Sequence, residues 1–258
     1  MFKKLNNIEN IYEDFKPYLQ ESRSIEDNSL LHYDLSAEGW RYLLTKYIDD
    51  IIYHKLGLKR IGNYIWASEY KNGKRKVLSF FFINNAYATL QWGWNFNFVP
   101  TFKSNKITYA RTDKSIFTHI YEVPKEFIDG NHKERDKVII SRYNIEIDNV
   151  KRGILKIINK HLDVINYLIS RIIEYFDKTD EYSRLLKKIE HQYFIDDYCR
   201  YYRVINANIY YMIPFIKIYI GQINEALLDS KKLNFKNDEQ KDYYLRHLYK
   251  LIQRKNIE

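Results

Sequence analysis

The clearest pattern in the chain is a strict alternation near its middle. Leu90, Trp92, Trp94, Phe96 and Phe98 fall on one side, and Thr89, Gln91, Gly93, Asn95 and Asn97 fall on the other. A period of two is that of a β-strand, so this segment predicts a strand with one aromatic face and one uncharged polar face. Large aromatics gathered on one face of an antiparallel sheet pack under helices, so that face is expected to be core. The opposite face, with Gln91, Asn95 and Asn97, is then the one open to a partner.

Upstream the period is helical. Leu5, Ile8, Ile11, Tyr12, Phe15 and Leu19 mark a first helix, ended or kinked at Pro17, and the polar stretch from Gln20 to Ser29 reads as a loop. A second helix is bounded at both ends. Ser36 is placed to cap it, Trp40, Leu43, Leu44, Tyr47, Ile48, Ile51 and Ile52 form its stripe, and Gly57 supplies its left-handed end. Asp49 and Asp50 lie mostly off that stripe. Lys59 to Tyr70 and Val77 to Phe82 then predict a hairpin turning at Asn72-Gly73. Short strands around Lys106 to Ala110 and Phe117 to Glu122 would complete an antiparallel meander closed by Pro124.

After Asn131 come a charged run, HKERDK, and an alternating segment from Val138 to Ile147. The remainder is helical. A stripe from Ile154 to Ile173 is followed by candidates at Tyr182 to Phe194, Asp197 to Ala207, Ile209 to Asp229 and Asp238 to Arg254, with Gly221 marking a turn inside the third. The expected fold is α+β: N-terminal helices, a central antiparallel meander with an aromatic face, and an all-helical C-terminal half packed on it. The expected division is 1–149 for the α+β part and 150–258 for the helical part.

Composition narrows the function classes. One cysteine, Cys199, cannot form an intramolecular disulfide, and the charged start MFKKLNNIENIYEDF lacks the apolar run of a signal peptide. No segment reaches the roughly 18 apolar residues of a spanning helix. A cytoplasmic protein with no membrane partner is therefore expected. The formal charge of +9 invites nucleic-acid binding. Lys, however, outnumbers Arg roughly two to one, and Ile, Asn and Tyr are plentiful, which is also the drift of an AT-rich genome. Base and phosphate recognition favours the bidentate fork of Arg.

Candidate partner-binding residues are the cations at the ends and turn of the first hairpin, Lys59, Arg60, Lys71, Lys74, Arg75 and Lys76, with Lys55 beside them, and the polar-face residues Gln91, Asn95 and Asn97. Clustered cations suit phosphate or an acidic protein surface; a solvated turn accounts for them equally. Asp50 with Glu69-Tyr70-Lys71 has the acid and lysine types of a metal-dependent nuclease, although such sites place the first acid on a strand and Asp50 falls in a helix. The seven histidines show no metal-ligand spacing, and no phosphate loop or dinucleotide fingerprint is present, so neither metal nor cofactor is expected.

Residues 40 to 102, from the Trp40 helix through KLGLKRIGNYIWAS to VLSFFFINN and the aromatic strand, resemble bacterial α+β domains of unknown function that open with a helix and a Leu-Gly-Phe-Lys-Arg segment; Leu58 stands where that pattern prefers Phe. Such proteins are often encoded among toxin-immunity or defence genes, so the resemblance implies stoichiometric binding in place of catalysis. The leading expectation is thus a non-enzymatic interaction protein, of immunity or defence type, that binds a protein partner through a polar, Tyr-rich surface; tyrosine is favoured at interfaces. Nucleic-acid binding through the basic hairpin is the alternative, followed by the nuclease reading. Oligomeric state is left open.

Overall fold

A computed structural model describes residues 11–23, 31–82, 87–103, 106–108, 118–128, 130–141, 145–146, 149–195 and 209–255. The expected helix at Asp197 to Ala207, the start of the first helix and the Asn84-Asn85 turn lie outside these residues.

The chain is α+β, as the mixed periodicity requires. Its first part holds α1 (Ile11–Phe15), a 3-10 turn carrying Pro17, and the strands β1 (Leu19–Arg23) and β2 (Leu31–Leu35). The polar segment expected to be a loop is therefore strand at its start. β1 pairs antiparallel with β2, Leu19 opposite Leu35, and its polar side chains hide the alternation that pattern reading needs.

Next come α2 (Ala37–Leu43), a π-helical turn (Leu44–Ile48) and α3 (Asp49–Leu56). Both expected boundaries hold. Ser36 Oγ accepts from the Gly39 amide at 3.1 Å, and Gly57 closes α3 at φ 68°, a conformation an L side chain adopts only with strain. Leu43, Leu44, Ile48 and Ile52 are fully buried along the stripe.

The main sheet follows. The expected first strand is split: β3 (Lys59–Gly62) and β4 (Ile65–Ala67) turn at Asn63-Tyr64. β5 (Lys74–Phe82) and β6 (Tyr87–Phe96) come after the Asn72-Gly73 turn, whose φ values of 49° and 74° are both positive, as a type I′ hairpin turn demands. β7 (Thr101–Lys103) and β8 (Lys106–Thr108) form a separate two-stranded ladder where the meander was expected to continue. β9 (Ile120–Glu122) pairs with β6 instead, Trp92 opposite Glu122 and Gly93 opposite Tyr121.

Two helices lie beyond Pro124: α4 (Lys125–Ile128) and α5 (His132–Val138). The charged run HKERDK is thus helix, capped by Asn131, whose side-chain oxygen accepts from the Glu134 amide at 3.1 Å. Strands β10 (Ile140–Ser141) and β11 (Ile145–Glu146) precede α6 (Val150–Lys178). The sheet order is β10-β6-β5-β4-β3, with β9 also on β6; β11 adds to β2 in a smaller sheet. The remaining helices are α7 (Tyr182–Ile195), α8 (Ile209–Tyr219), α9 (Ile223–Lys231) and α10 (Asp238–Lys255), and Gly221 at φ 87° makes the turn between α8 and α9.

The compact units do not follow the expected boundary at 149/150. One comprises residues 1–66, 78–91 and 123–172; the other comprises 67–77, 92–122 and 173–258. In the first unit His161 sits between the rings of Trp40 and Phe80, at 5.6 and 5.7 Å, and Glu126 takes a forked ion pair from Arg171 at 2.8 and 2.9 Å. In the second, Trp94 meets Phe176 edge to face at 5.2 Å and donates from Nε1 to Thr179 Oγ1 at 2.8 Å. Phe98 stacks on Tyr219 at 4.2 Å, and Phe215 meets Tyr244 at 5.3 Å. Helices thus cover the aromatic face of β6, as its composition predicts.

Candidate functional site

The turn from α3 into β3 is tight, because Gly57 reverses the chain and Leu58 is buried at once beneath it. The flank of the helical segment is thereby set beside the outermost strand of the main sheet. An open groove of about 620 Å³ lies there, lined by Arg41, Thr45, Asp49, Asp50 and Tyr53 on one side and by residues of the Leu58–Asn63 segment on the other.

Its floor is a fixed polar network. Asp49 accepts from Arg60 Nε at 2.9 Å through one oxygen and from Trp66 Nε1 at 2.7 Å through the other. The far end of the same guanidinium donates to Thr45 Oγ1. Trp66 is fully buried, so Asp49 satisfies an indole N–H that would otherwise be orphaned. Replacing Asp49 with alanine should cost about 2 kcal/mol, the range for stranding a buried donor, and asparagine, which keeps one oxygen for Trp66, should recover part of it. Thermal melts of Asp49→Ala and Asp49→Asn check this; equal melting of the two variants would show that the indole bond is not what Asp49 contributes.

Above that floor the groove presents charge and one aromatic ring. Asp50 is exposed and its carboxylate lies 3.1 Å from His54 Nε2. Tyr53 is 48% exposed. Arg41 and Lys59 are exposed too, and neither makes an ion pair among the described residues. The lining thus carries three cations, Arg41, Lys59 and Arg60, against two carboxylates, Asp49 and Asp50.

The sequence-selected residues are dispersed. Lys59 and Arg60 line the groove, Lys71 is exposed beside the β4–β5 turn, and Lys55 is exposed on α3. Lys74 and Arg75 are buried, not solvated. The Lys74 ammonium lies 4.3 Å from the Trp94 ring centre and 4.8 Å from that of Tyr182, with Asp180 Oδ1 at 3.3 Å. Burial pushes its pKa below the usual lysine value, and Asp180 opposes that shift. Arg75 covers the Tyr70 ring at 4.7 Å, and half-buried Lys76 lies 5.2 Å from the Phe176 ring centre. Long aliphatic stems and attraction to ring faces let these cations leave water.

The polar face of β6 is likewise mostly closed. Gln91 and Asn95 are buried and only Asn97 is exposed. Asn95 Oδ1 accepts from the Tyr70 hydroxyl, and Thr89 donates to the Val138 carbonyl at 2.7 Å. Buried His119 accepts from the Phe96 amide at Nδ1 and donates from Nε2 to the Val99 carbonyl, both at 3.1 Å. The face expected to meet a partner is thus occupied by the protein's own donors and acceptors at Thr89 and Asn95.

Asp50 lies in α3, and Glu69 is exposed on the segment before Lys71. Among the described residues, no three His, Cys, Asp or Glu side chains gather as a metal ion would need. Among those residues, too, no helix is long and apolar enough to cross a membrane.

Pattern reading passed over Arg41, Thr45, Tyr53 and Asn63. A signal for three of them was present, since Arg41, Thr45, Asp49 and Tyr53 follow one another at intervals of four, the spacing of a single helix face. Comparison with protein-family models, with curated proteins and with solved structures found no match.

Proposed function

We propose that this chain is a non-enzymatic protein-binding module and that the groove between the α2–α3 segment and β3 is its contact surface. The observation that carries this reading is the pairing of a rigid floor with exposed anchors: Arg60 and Asp49 are locked, while Arg41, Tyr53 and Lys59 project around them. Arg and Tyr are the residue types on which binding energy concentrates, and a fixed floor lowers the ordering cost of binding. Residues 40 to 102 resemble bacterial α+β domains of unknown function often encoded among toxin-immunity or defence genes, and a stoichiometric role accords with that resemblance. The nucleic-acid alternative is served less well, because burial removes Lys74 and Arg75 from the basic hairpin surface.

Site-specific photocrosslinking in the native host tests this. A crosslinking amino acid at Tyr53 should trap one discrete protein band, and the same residue at exposed Tyr249, on α10, should not. Equal smears at both positions would overturn the reading.

A further inference from the structure

Resting on that protein-binding reading, we infer that β3 takes an extended, acidic peptide segment of the partner as an added strand. β3 ends the order of the main sheet, so one side of Lys59–Gly62 carries no strand among the described residues. Such an edge offers a row of backbone N–H and C=O groups that an extended peptide can pair with. A groove adjoins the same strand, lined by Lys59, Arg60 and Gly62 on one side and by Arg41, Thr45, Asp49 and Tyr53 on the other. Its volume of about 620 Å³ is that of a ligand cleft.

Charge selects the occupant. Asp49 is held by Arg60 and Trp66, and exposed Asp50 lies at the helix side beside His54, so Arg41 and Lys59 outnumber the one carboxylate left to meet an incoming chain. An acidic strand answers both. A second copy paired antiparallel would gather Lys59 and Arg60 of both edges in one short ladder whose strands, Lys-Arg-Ile-Gly, hold no acid to answer them. The four residues of β3 span about 13 Å, so the added strand pairs over about four residues, two of them facing the groove. Recognised segments should therefore carry acids two positions apart.

The test pans a random phage-displayed library of peptides about eight residues long against the full chain, then measures amide hydrogen exchange with the enriched peptide bound. Enriched sequences should carry Asp or Glu at alternate positions and slow exchange within residues 59–62 by about tenfold or more. The double substitution Arg41→Glu, Lys59→Glu, at two exposed positions, should weaken binding by about tenfold or more, and added salt should weaken binding to the unsubstituted chain. No enrichment, or protection confined to residues 41–53, overturns strand addition. Protection of 59–62 that rises with protein concentration and without peptide overturns the acidic occupant in favour of a second copy. A discrete crosslink at Tyr53 alongside unprotected 59–62 removes this inference and leaves the binding module standing; loss of both removes both.

Discussion

Gly93→Ala should destabilise the protein by about 3 kcal/mol or more, because one methyl group there meets backbone and not a side chain that can swing away. Gly93 stands opposite Tyr121 where β9 joins β6. A Cβ at Gly93 would lie 2.6 Å from Tyr121 Cα and closer still to the Ile120 carbonyl oxygen. Glycine inside a strand marks such close approaches of a second backbone. The strand can accept the methyl only by letting β9 move off. That motion would also loosen His119, whose amide donates to the Trp94 carbonyl at 2.9 Å and whose ring bridges Phe96 and Val99. At about 3 °C per kcal/mol for a chain of this size, the melting midpoint should fall by about 10 °C. Amide exchange in 118–122 should accelerate more than elsewhere. A melt within a degree of the unsubstituted protein would show that the close approach is not needed to hold β9.

What could be read from the chain depended on whether a residue's neighbours were local. The α2–α3 segment was legible at both ends because Ser36 and Gly57 act on amides and carbonyls of their own helix. The Asn72-Gly73 turn was legible for the same reason. β1 was not: Gln20, Glu21 and Ser22 carry no apolar alternation, and their strand exists because β2 lies beside it. Likewise the run HKERDK shows only charge, with no apolar stripe to mark a helix, until Asn131 caps it and Val138 buries its end.

The β6 alternation led to a sound conclusion about one face and an unsound one about the other. Trp92, Trp94 and Phe96 are core, as expected. Asn95 and Thr89 are buried as well, because each finds its partner far along the chain, at Tyr70 and Val138. A short uncharged polar side chain does not announce whether it faces water or a distant acceptor. Lys74 and Arg75 mislead in the same way, since the rings that shelter them come from β6, the α6–α7 turn region and Tyr70. The groove was half legible: Lys59 and Arg60 stand out as cations, whereas Asp49 and Thr45 matter through a register that only the folded chain sets.

Acid should destabilise the protein through His161 before most carboxylates titrate. The ring is buried between Trp40 and Phe80, and its Nδ1–H donates to the Ile157 carbonyl at 2.8 Å. Burial holds its pKa down at about 4, against about 6.5 for the unfolded chain. Between those values the unfolded state binds the proton and the folded state does not, so stability is full above pH 6.5 and falls as pH drops toward 4. A separation of this size corresponds to about 3 kcal/mol lost at pH 4. Glu126 adds a second, lower window: Arg171 holds its pKa at about 2, below the usual 4.5, so its contribution is present above 4.5 and is lost as pH falls toward 2. The two separate experimentally between pH 6.5 and 4.5. Urea midpoints of the unsubstituted protein should decline across that interval, and those of His161→Phe, which keeps an aromatic ring and removes the titration, should decline much less. Parallel slopes for the two proteins would assign the acid sensitivity elsewhere and leave His161 as packing alone.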